Sequence, residues 1–185
     1  MTDYPEDRIV ELIGVIDDEC ANRVIAQLLF HQMQDKESPV ILRIDSPGGS
    51  VTASLAILET MRFVKCPVIT ECRGSAHGCA ALIFAAGAPG RRKATRSATF
   101  GLARTVLTRP AEDPKDTAGN LSRLQERLIA ELSRACQQEP SCISRDMAVE
   151  RQFTISEAIA YGFADAEICR TLTRSRLARP NVRRR

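Results

Sequence analysis

The sequence predicts a single α/β domain in which short parallel strands alternate with helices. With 185 residues, 44% of them hydrophobic, the chain can bury one sizeable core. Residues 40–44 form an apolar run interrupted only by Arg43, which is typical of a parallel strand covered on both faces. Strand-like segments are followed by turns of small residues and then by helically spaced segments. This repeated order favours one sheet with right-handed crossovers.

The first elements follow from hydrophobic spacing and capping residues. Residues 8–16 read as a strand that ends in a turn. Asp17 or Asp18 can cap the following helix, because a carboxylate accepts the unpaired N–H groups of the first turn. The apolar positions of that helix are three or four residues apart: Ile25, Leu28, Leu29 and Met33. The strand over residues 40–44 then leads through the sharp turn 46–49 into a helix over residues 51–63.

The second half of the chain predicts two further strand regions and a long helix. Residues 66–72 read as a strand, which passes through a turn at Gly74 into a small-residue helix over residues 76–86. Residues 91–102 read as short strands. Residues 105–116 suggest an irregular connection. Residues 121–136 predict a strongly amphipathic helix with the apolar stripe Leu121, Leu124, Leu128 and Leu132. Two shorter helices follow, the second between a capping box (Thr154 and Glu157) and Gly162.

Composition excludes several classes of protein. No apolar run approaches the roughly 20 residues that cross a bilayer, and residues 1–7 lack the basic and apolar segments of a signal peptide. We therefore expect a cytoplasmic protein with no membrane partner. The seven cysteines form no C-x-x-C pair, and the chain has only two histidines. These counts predict buried free thiols, no metal site and no cofactor.

Charge is distributed unevenly along the chain. Residues 170–185 contain seven arginines and no acidic residue; subtracting these seven charges from the net +3 leaves −4 for residues 1–169. We expect one domain over residues 1–169 and a basic, disordered tail over 170–185. Without tryptophan and with only two tyrosines, the chain lacks the aromatic side chains of a nucleic-acid platform, so nucleic-acid binding is not expected.

Two glycine-containing turns are the candidate site. Residues 45–49 (Asp-Ser-Pro-Gly-Gly) and 74–79 (Gly-Ser-Ala-His-Gly-Cys) each follow a predicted strand and lead into a predicted helix. Glycine lets backbone N–H groups turn towards a ligand, and a helix start adds positive potential. Two such turns side by side could form an oxyanion hole, the pair of donors that stabilises a tetrahedral or enolate oxygen.

These residues carry a resemblance to a known family. The stretches 7–30, 41–53 (Ile-Leu-Arg-Ile-Asp-Ser-Pro-Gly-Gly-Ser-Val-Thr-Ala), 74–87, 90–92, 123–127, 143–146 and 156–162 with Asp165 resemble, in order, the proteolytic subunit of the Clp protease, the ClpP family of serine peptidases. The resemblance implies a ClpP/crotonase-like α/β fold with stacked strand-turn-helix units and a protruding helical handle, here residues 104–137. It also implies seven-membered rings that pair through their handles, with a ring–ring strand near residues 105–116.

The resemblance also shows which catalytic residues are missing. The family uses a Ser-His-Asp triad, in which the imidazole takes the serine proton and the acid orients the imidazole. The place of the nucleophile falls on Gly78. The place of the histidine falls on Ala103, or on Leu102 if one residue is displaced. The place of the acid falls on Glu150, which is still a carboxylate. By the same resemblance, the oxyanion-hole donors are the backbone N–H groups of Gly49 and Cys79.

The departures from the family pattern lead to three functional hypotheses. The first is a proteolytically inactive ClpP-like subunit with a structural or regulatory role, in homo-oligomeric rings or in mixed rings with an active paralogue. The second is a serine or thiol endopeptidase with a relocated nucleophile, Ser75 or Cys79, and His77 as the base. The third is a crotonase-like enzyme that binds an acyl thioester or other carbonyl, with Glu150 as a base. The family's N-terminal pore segment precedes its first strand; because only residues 1–6 precede Asp7, docking of an AAA+ ATPase is not expected.

Overall fold

A computed structural model of the chain describes residues 7–103 and 114–168, with the side chains of 114–120 excepted. The expectations for residues 1–6, for the segment 104–113 and for the tail 170–185 lie outside the described residues. Within the described ranges the structure is mixed α/β, as the sequence predicts. No helix of these ranges combines the length and the hydrophobicity that crossing a membrane requires.

Seven strands form one mainly parallel sheet. Strands β1 to β4 and β7 are hydrogen-bonded in the order β1-β2-β3-β4-β7, while β5 pairs with β3 and with β6. Among the strand pairs of the described residues, only β5–β6 is antiparallel. The strands are β1 (Ile9–Ile13), β2 (Val40–Ser46), β3 (Val68–His77), β4 (Arg92–Ala94), β5 (Thr99–Gly101), β6 (Gln152–Phe153) and β7 (Ala166–Glu167). The apolar strands β2 and β3 therefore lie in the interior of the sheet.

Six helices within residues 7–103 and 114–168 follow the order of the predicted elements: α1 (Asp18–Gln34), α2 (Val51–Phe63), α3 (Cys79–Ala85), α4 (Pro114–Cys136), α5 (Pro140–Ala148) and α6 (Ile155–Tyr161). The Asp17 carboxylate caps α1 by accepting from the N–H of Cys20 at 2.8 Å. The predicted capping box is present in α6, where Thr154 and Glu157 bond each other's backbone. Gly162 ends α6 in the left-handed conformation, at φ +95°, which favours glycine.

The core lies between the helices and one face of the sheet. Even-numbered residues of β1 and β2 are buried there, whereas Glu11 and Arg43 stand in register on the opposite, polar face. The burial expected for residues 40–44 is confirmed: Val40, Ile41, Leu42 and Ile44 are buried, and Arg43, which interrupts the run, is half-buried. A cluster of buried aromatic rings, including Phe84, Phe100 and Phe163, fills the core around β5.

The strand β3 corrects the predicted turn at Gly74. It continues through Gly74 to His77, and α3 begins only at Cys79, so residues 74–77 form no turn. Gly74 is required for a different reason: a Cβ at this position would lie 2.3 Å from the Asp45 carboxylate on β2. The extended part of β3 is held by β5, with which Ser75 to His77 pair in parallel. Sequence alone showed a glycine among small residues, which is as typical of a turn as of a close approach.

The long helix α4 also departs from expectation in two ways. It begins at Pro114, inside the segment expected to be irregular. On the protruding handle that the resemblance implies, this leucine stripe would be exposed without a partner, but its C-terminal half is covered by the same chain: Leu132 and Leu128 are 0% and 1% exposed. Leu124 and Leu121 are half-buried. At the other end of the chain, β1 is shorter than expected, because it ends at Ile13 before Gly14 at φ +82°.

Candidate active site

The two candidate turns lie against each other. A Cβ on Gly48 would lie 2.7 Å from the carbonyl oxygen of His77 and 3.3 Å from the backbone nitrogen of Cys79. Only glycine permits this approach, and the φ of Gly48, +95°, also favours glycine. The Cys79 thiol lies 3.8 Å from the Gly49 carbonyl oxygen. The end of β2 and the start of α3 therefore form one compact region.

Gly78 occupies a strained bend between β3 and α3. Its φ and ψ are +54° and −121°, a conformation that side-chain-bearing residues rarely adopt. Its N–H donates to the carbonyl of Gly101 on β5 at 2.8 Å. A strained strand-to-helix bend of this kind exposes the nucleophile of many hydrolases. The bend is therefore present at the residue where the resemblance puts the nucleophile, although the side chain is missing.

Gly78 and Ala103 lie next to each other. A Cβ built on Gly78 would have the Ala103 Cβ as its nearest neighbour, at 3.8 Å, and the Pro47 carbonyl oxygen at 3.9 Å. Both are ordinary van der Waals distances, so the space beside Gly78 accepts a side chain. The structure brings together the two positions at which the resemblance puts the nucleophile and its base.

Glu150 reaches the same region through β6. Phe100 and Gly101 of β5 pair with Phe153 and Gln152 of β6, and the N–H of Leu102 donates to the Arg151 carbonyl at 2.9 Å. Glu150 itself lies outside this ladder, in the turn after α5, where its N–H donates to the Met147 carbonyl at 3.2 Å. Glu150 is exposed and has a φ of +50°. Its carboxylate is therefore accessible at the same end of the sheet as Ala103.

A buried polar network supports the segment that carries Glu150. Asp146, 4% exposed, accepts a hydrogen bond from the Tyr161 hydroxyl at 2.9 Å and from Arg151 at 3.2 Å. The Arg151 guanidinium also lies over the Phe153 ring, 4.7 Å from its centroid. Burial raises the pKa of the Tyr161 hydroxyl, and its bond to Asp146 adds to the effect. This network holds the connection between α5 and β6 in place.

Ser75 and His77 do not form a catalytic pair. Because both lie on β3, two residues apart, their Cα atoms are separated by about 6.6 Å. The Ser75 hydroxyl donates to Asp45 Oδ1 at 3.0 Å, and His77 Nε2 lies 3.2 Å from the Thr99 hydroxyl. Our expectation that Ser75, His77 and Cys79 share one turn is wrong, because β3 extends through the first two residues. Each side chain has its own partner on a neighbouring strand.

Cys79 lacks the properties of a reactive thiol. Its residue is 5% exposed in the core beneath the bend. Burial raises the pKa of the Cys79 thiol, which disfavours the nucleophilic thiolate. The other described cysteines are free, and of these only Cys142 is half-exposed. Over the described part of the chain, no group of three His, Cys, Asp or Glu side chains could hold a metal ion.

Sequence reasoning missed the roles of three residues around the site. Asp45 belongs to the Ile-Asp-Ser-Pro-Gly-Gly run, but its bonds to Ser75 depend on the strand pairing of β2 with β3. Thr99 was not identified because its contact with His77 follows from the β3–β5 register. Gly101 was also missed; a Cβ there would lie 2.4 Å from His77 Nδ1. No signal in the sequence pairs these residues, which are 22 to 30 positions apart.

Fold and site together define a ClpP-type α/β domain, and comparison with known proteins agrees. The chain matches the Clp protease family over residues 2–171. It is 38% identical over 174 residues to the ATP-dependent Clp protease proteolytic subunit 2 of Streptomyces avermitilis, covering 90% of this chain and 84% of that protein. The chain therefore belongs to the Clp protease proteolytic subunit family.

Proposed function

We propose that this chain is a proteolytically inactive ClpP-type subunit with a structural or regulatory role. The observation that carries the proposal is the pair Gly78 and Ala103, which lie together where a nucleophile and its base would meet. A glycine hydrogen cannot attack a carbonyl, and a methyl group cannot accept a proton. Loss of both side chains from a Ser-His-Asp triad reduces turnover by about a million-fold.

The two histidines of the chain do not replace the missing base. His31 is 8% exposed on α1, far along the chain from the two turns. His77 precedes the bend, but its imidazole lies over Gly101 and bonds Thr99. Glu150 retains a carboxylate, but position 103 is alanine, so there is no imidazole for this carboxylate to orient. These contacts support the inactive reading over a relocated Ser75 or Cys79 nucleophile.

The backbone of the site supports a role that depends on shape rather than chemistry. Glycines 48, 49 and 78 keep positive φ, and the two turns remain in contact. A subunit that retains this frame can occupy a place in a ring beside catalytically complete subunits. We propose assembly into rings, alone or mixed with an active paralogue, with α4 as the contacting handle. Docking of an AAA+ ATPase is not part of the proposal.

Native mass spectrometry, a fluorogenic peptide assay and labelling with a fluorophosphonate probe on one sample test this function. We expect an oligomer without peptide cleavage and without labelling. Adding a purified active paralogue tests mixed rings, which give masses between those of the two homo-oligomers. A monomer that also fails to mix contradicts the structural role.

Cleavage by the chain alone would contradict inactivity, and matched variants would locate the nucleophile. Ser75→Ala and Cys79→Ala should leave the background rate unchanged, because neither side chain is placed for attack. Loss of cleavage in one of them would establish a relocated nucleophile. Ser122→Ala, on the exposed surface of α4, is the control for handling and contamination.

A further inference from the structure

Five charged side chains connect α4 to α2 in an alternating series. From Arg134 on α4 the contacts run to Glu131, across to Arg62 and Glu59 on α2, and back to Arg127 on α4. The N–O distances along the series are 2.9, 2.5, 3.6 and 2.8 Å. We call these five residues the α2–α4 ion-pair network. Because the series begins and ends on α4, it joins the two helices twice.

The spacing of these residues places the network on two facing helix surfaces. On α4 the members are four and three positions apart (127, 131, 134), and on α2 they are three apart (59, 62). Side chains at such intervals share one face of a helix. One oxygen of Glu131 accepts from both Arg62 and Arg134, and one oxygen of Glu59 contacts both Arg62 and Arg127.

The network lies where the packing of α4 changes. On its C-terminal side, Leu128 and Leu132 are fully buried against the chain's own core. Towards the N-terminus, Leu124 and Leu121 are only half-buried. The ion pairs and the buried leucines hold the same stretch of α4, and Arg127 is the member of the network nearest to the half-buried positions. Arg127 and its contact with Glu59 therefore lie at the boundary beyond which α4 is less tightly packed.

The burial of Glu131 makes this network stronger than an ordinary surface ion pair. The Glu131 side chain is 9% exposed, whereas the other four are 39–67% exposed. The hydrogen bond from Arg62 holds the pKa of the Glu131 carboxyl below its ordinary value. A well-exposed pair contributes little, but a buried carboxylate between two guanidinium groups loses much when its charge is removed.

We propose that the α2–α4 ion-pair network is a salt-sensitive latch that fixes the direction of α4 and thereby regulates contacts made through that helix. The effect on assembly rests on the proposed role of α4 as a handle; the local effect on α4 does not. High ionic strength weakens the exposed members and loosens the N-terminal half of the helix. The buried Glu131 retains part of the connection.

Hydrogen–deuterium exchange of the full chain tests the latch directly. Exchange is measured at about 0.1 M and about 1 M NaCl, which shortens the screening length from about 10 Å to about 3 Å. At the lower salt concentration, the backbone amides of residues 121–131 should exchange at least about fivefold faster in Glu131→Gln than in wild type. Glu126→Gln is the matched control, because this exposed glutamate lies on the same helix and accepts a hydrogen bond from Ser122 of that helix rather than from α2. At the higher salt concentration, the exchange rate of the wild-type protein should approach the rate of Glu131→Gln.

Equal exchange in Glu131→Gln and Glu126→Gln, or no salt effect on wild type, overturns the latch. If Glu131→Gln fails to fold, Arg127→Gln replaces it, because the Arg127 side chain is half-exposed and forms one end of the series. This variant should also exchange faster than wild type. Native mass spectrometry of the same samples separates the two proposals. If wild type does not assemble, the ring proposal fails, while the exchange result still decides whether the latch exists.

Discussion

A side-chain carbon on Gly78 would lie 3.8 Å from the Cβ of Ala103. The two residues belong to different strand ends, 25 positions apart in the chain, and meet because the Gly78 N–H bonds the Gly101 carbonyl. Neither carries a functional group. The two positions are thus adjacent in space but lack catalytic side chains, which makes substitution at both positions a direct test.

The double variant Gly78→Ser/Ala103→His should acquire peptidase activity. The new serine and histidine would have van der Waals room beside each other, and Glu150 is an exposed carboxylate that precedes Arg151, whose carbonyl accepts from the N–H of Leu102. General-base catalysis contributes about 10²–10⁴-fold, so the double variant should exceed both single variants by about that factor in a fluorogenic peptide assay. Adding Glu150→Gln should remove most of the gain. A double variant no faster than the singles would show that the frame no longer supports a triad.

Stability of that double variant is a necessary control. Serine at φ +54° and ψ −121° costs about 1–3 kcal/mol, so the melting temperature should fall by several degrees without loss of the folded state. Circular dichroism at the assay temperature would show whether an inactive variant is also unfolded.

Gly48→Ala should separate the two turns of the site. The added Cβ would approach the His77 carbonyl oxygen to 2.7 Å, and the φ of +95° is unfavourable for alanine. We expect a loss of about 1–3 kcal/mol of unfolding free energy in urea titration. In the Gly78→Ser/Ala103→His background it should also abolish the recovered hydrolysis. Gly90→Ala, at φ +76° with no atom within 4 Å of its Cβ, is the control for backbone strain alone.

Thiol accessibility should separate Cys142 from the buried cysteines. Burial raises the pKa of Cys72 and of Cys136 to about 12, and it also raises the pKa of Cys79. A maleimide at pH 8 should therefore label Cys142 in the native protein and the others only after denaturation. The experiment uses a Cys169→Ser background, and peptide mass spectrometry identifies the sites. Rapid native labelling of Cys79 would contradict its burial.

The ion pair between Arg92 and Asp165 should dominate acid stability. Arg92 Nη2 donates to Asp165 Oδ1 at 2.6 Å, and Arg92 Nη1 donates to the Gly162 carbonyl at 2.6 Å and to the Ala135 carbonyl at 3.2 Å. The side chains of Arg92 and Asp165 are only 13% and 19% exposed, respectively. Arg92→Met should therefore cost about 3 kcal/mol, measured by urea titration. Arg96→Met, in an exposed ion pair with Glu167, should cost well under 1 kcal/mol.

The pH dependence of that pair has a definite sign. Burial pushes the pKa of Asp165 upwards, but hydrogen bonds from Arg92 outweigh it, and the pKa lies below the ordinary value of 3.8. Ionised Asp165 therefore stabilises the fold above about pH 4, and this contribution is lost as the pH falls through the lowered folded-state pKa. Asp165→Asn should flatten the acid limb of a stability–pH curve. An unchanged slope would contradict the assignment.

Local patterns predicted most of the fold and failed where strands pair at a distance. The cap at Asp17, the capping box of α6 and the extent of α2 depend on neighbouring residues, and they are confirmed. The end of β3 was placed too early because Gly74 resembles a turn residue. Its true role is to make room for Asp45, 29 positions earlier. Likewise, the burial of Leu128 and Leu132 depends on helices from other parts of the chain.

The sequence by itself determined the family, the alternation of strands and helices, and the absence of a serine at 78 and a histidine at 103. These are matters of residue identity and spacing along the chain. Only the tertiary structure decided that Gly78 and Ala103 are neighbours, that Ser75 and His77 have separate partners, and that Glu131 is buried between two arginines. Each of these depends on packing between elements that are distant in sequence, and an individual side chain carries no local signal of which distant partner it will meet.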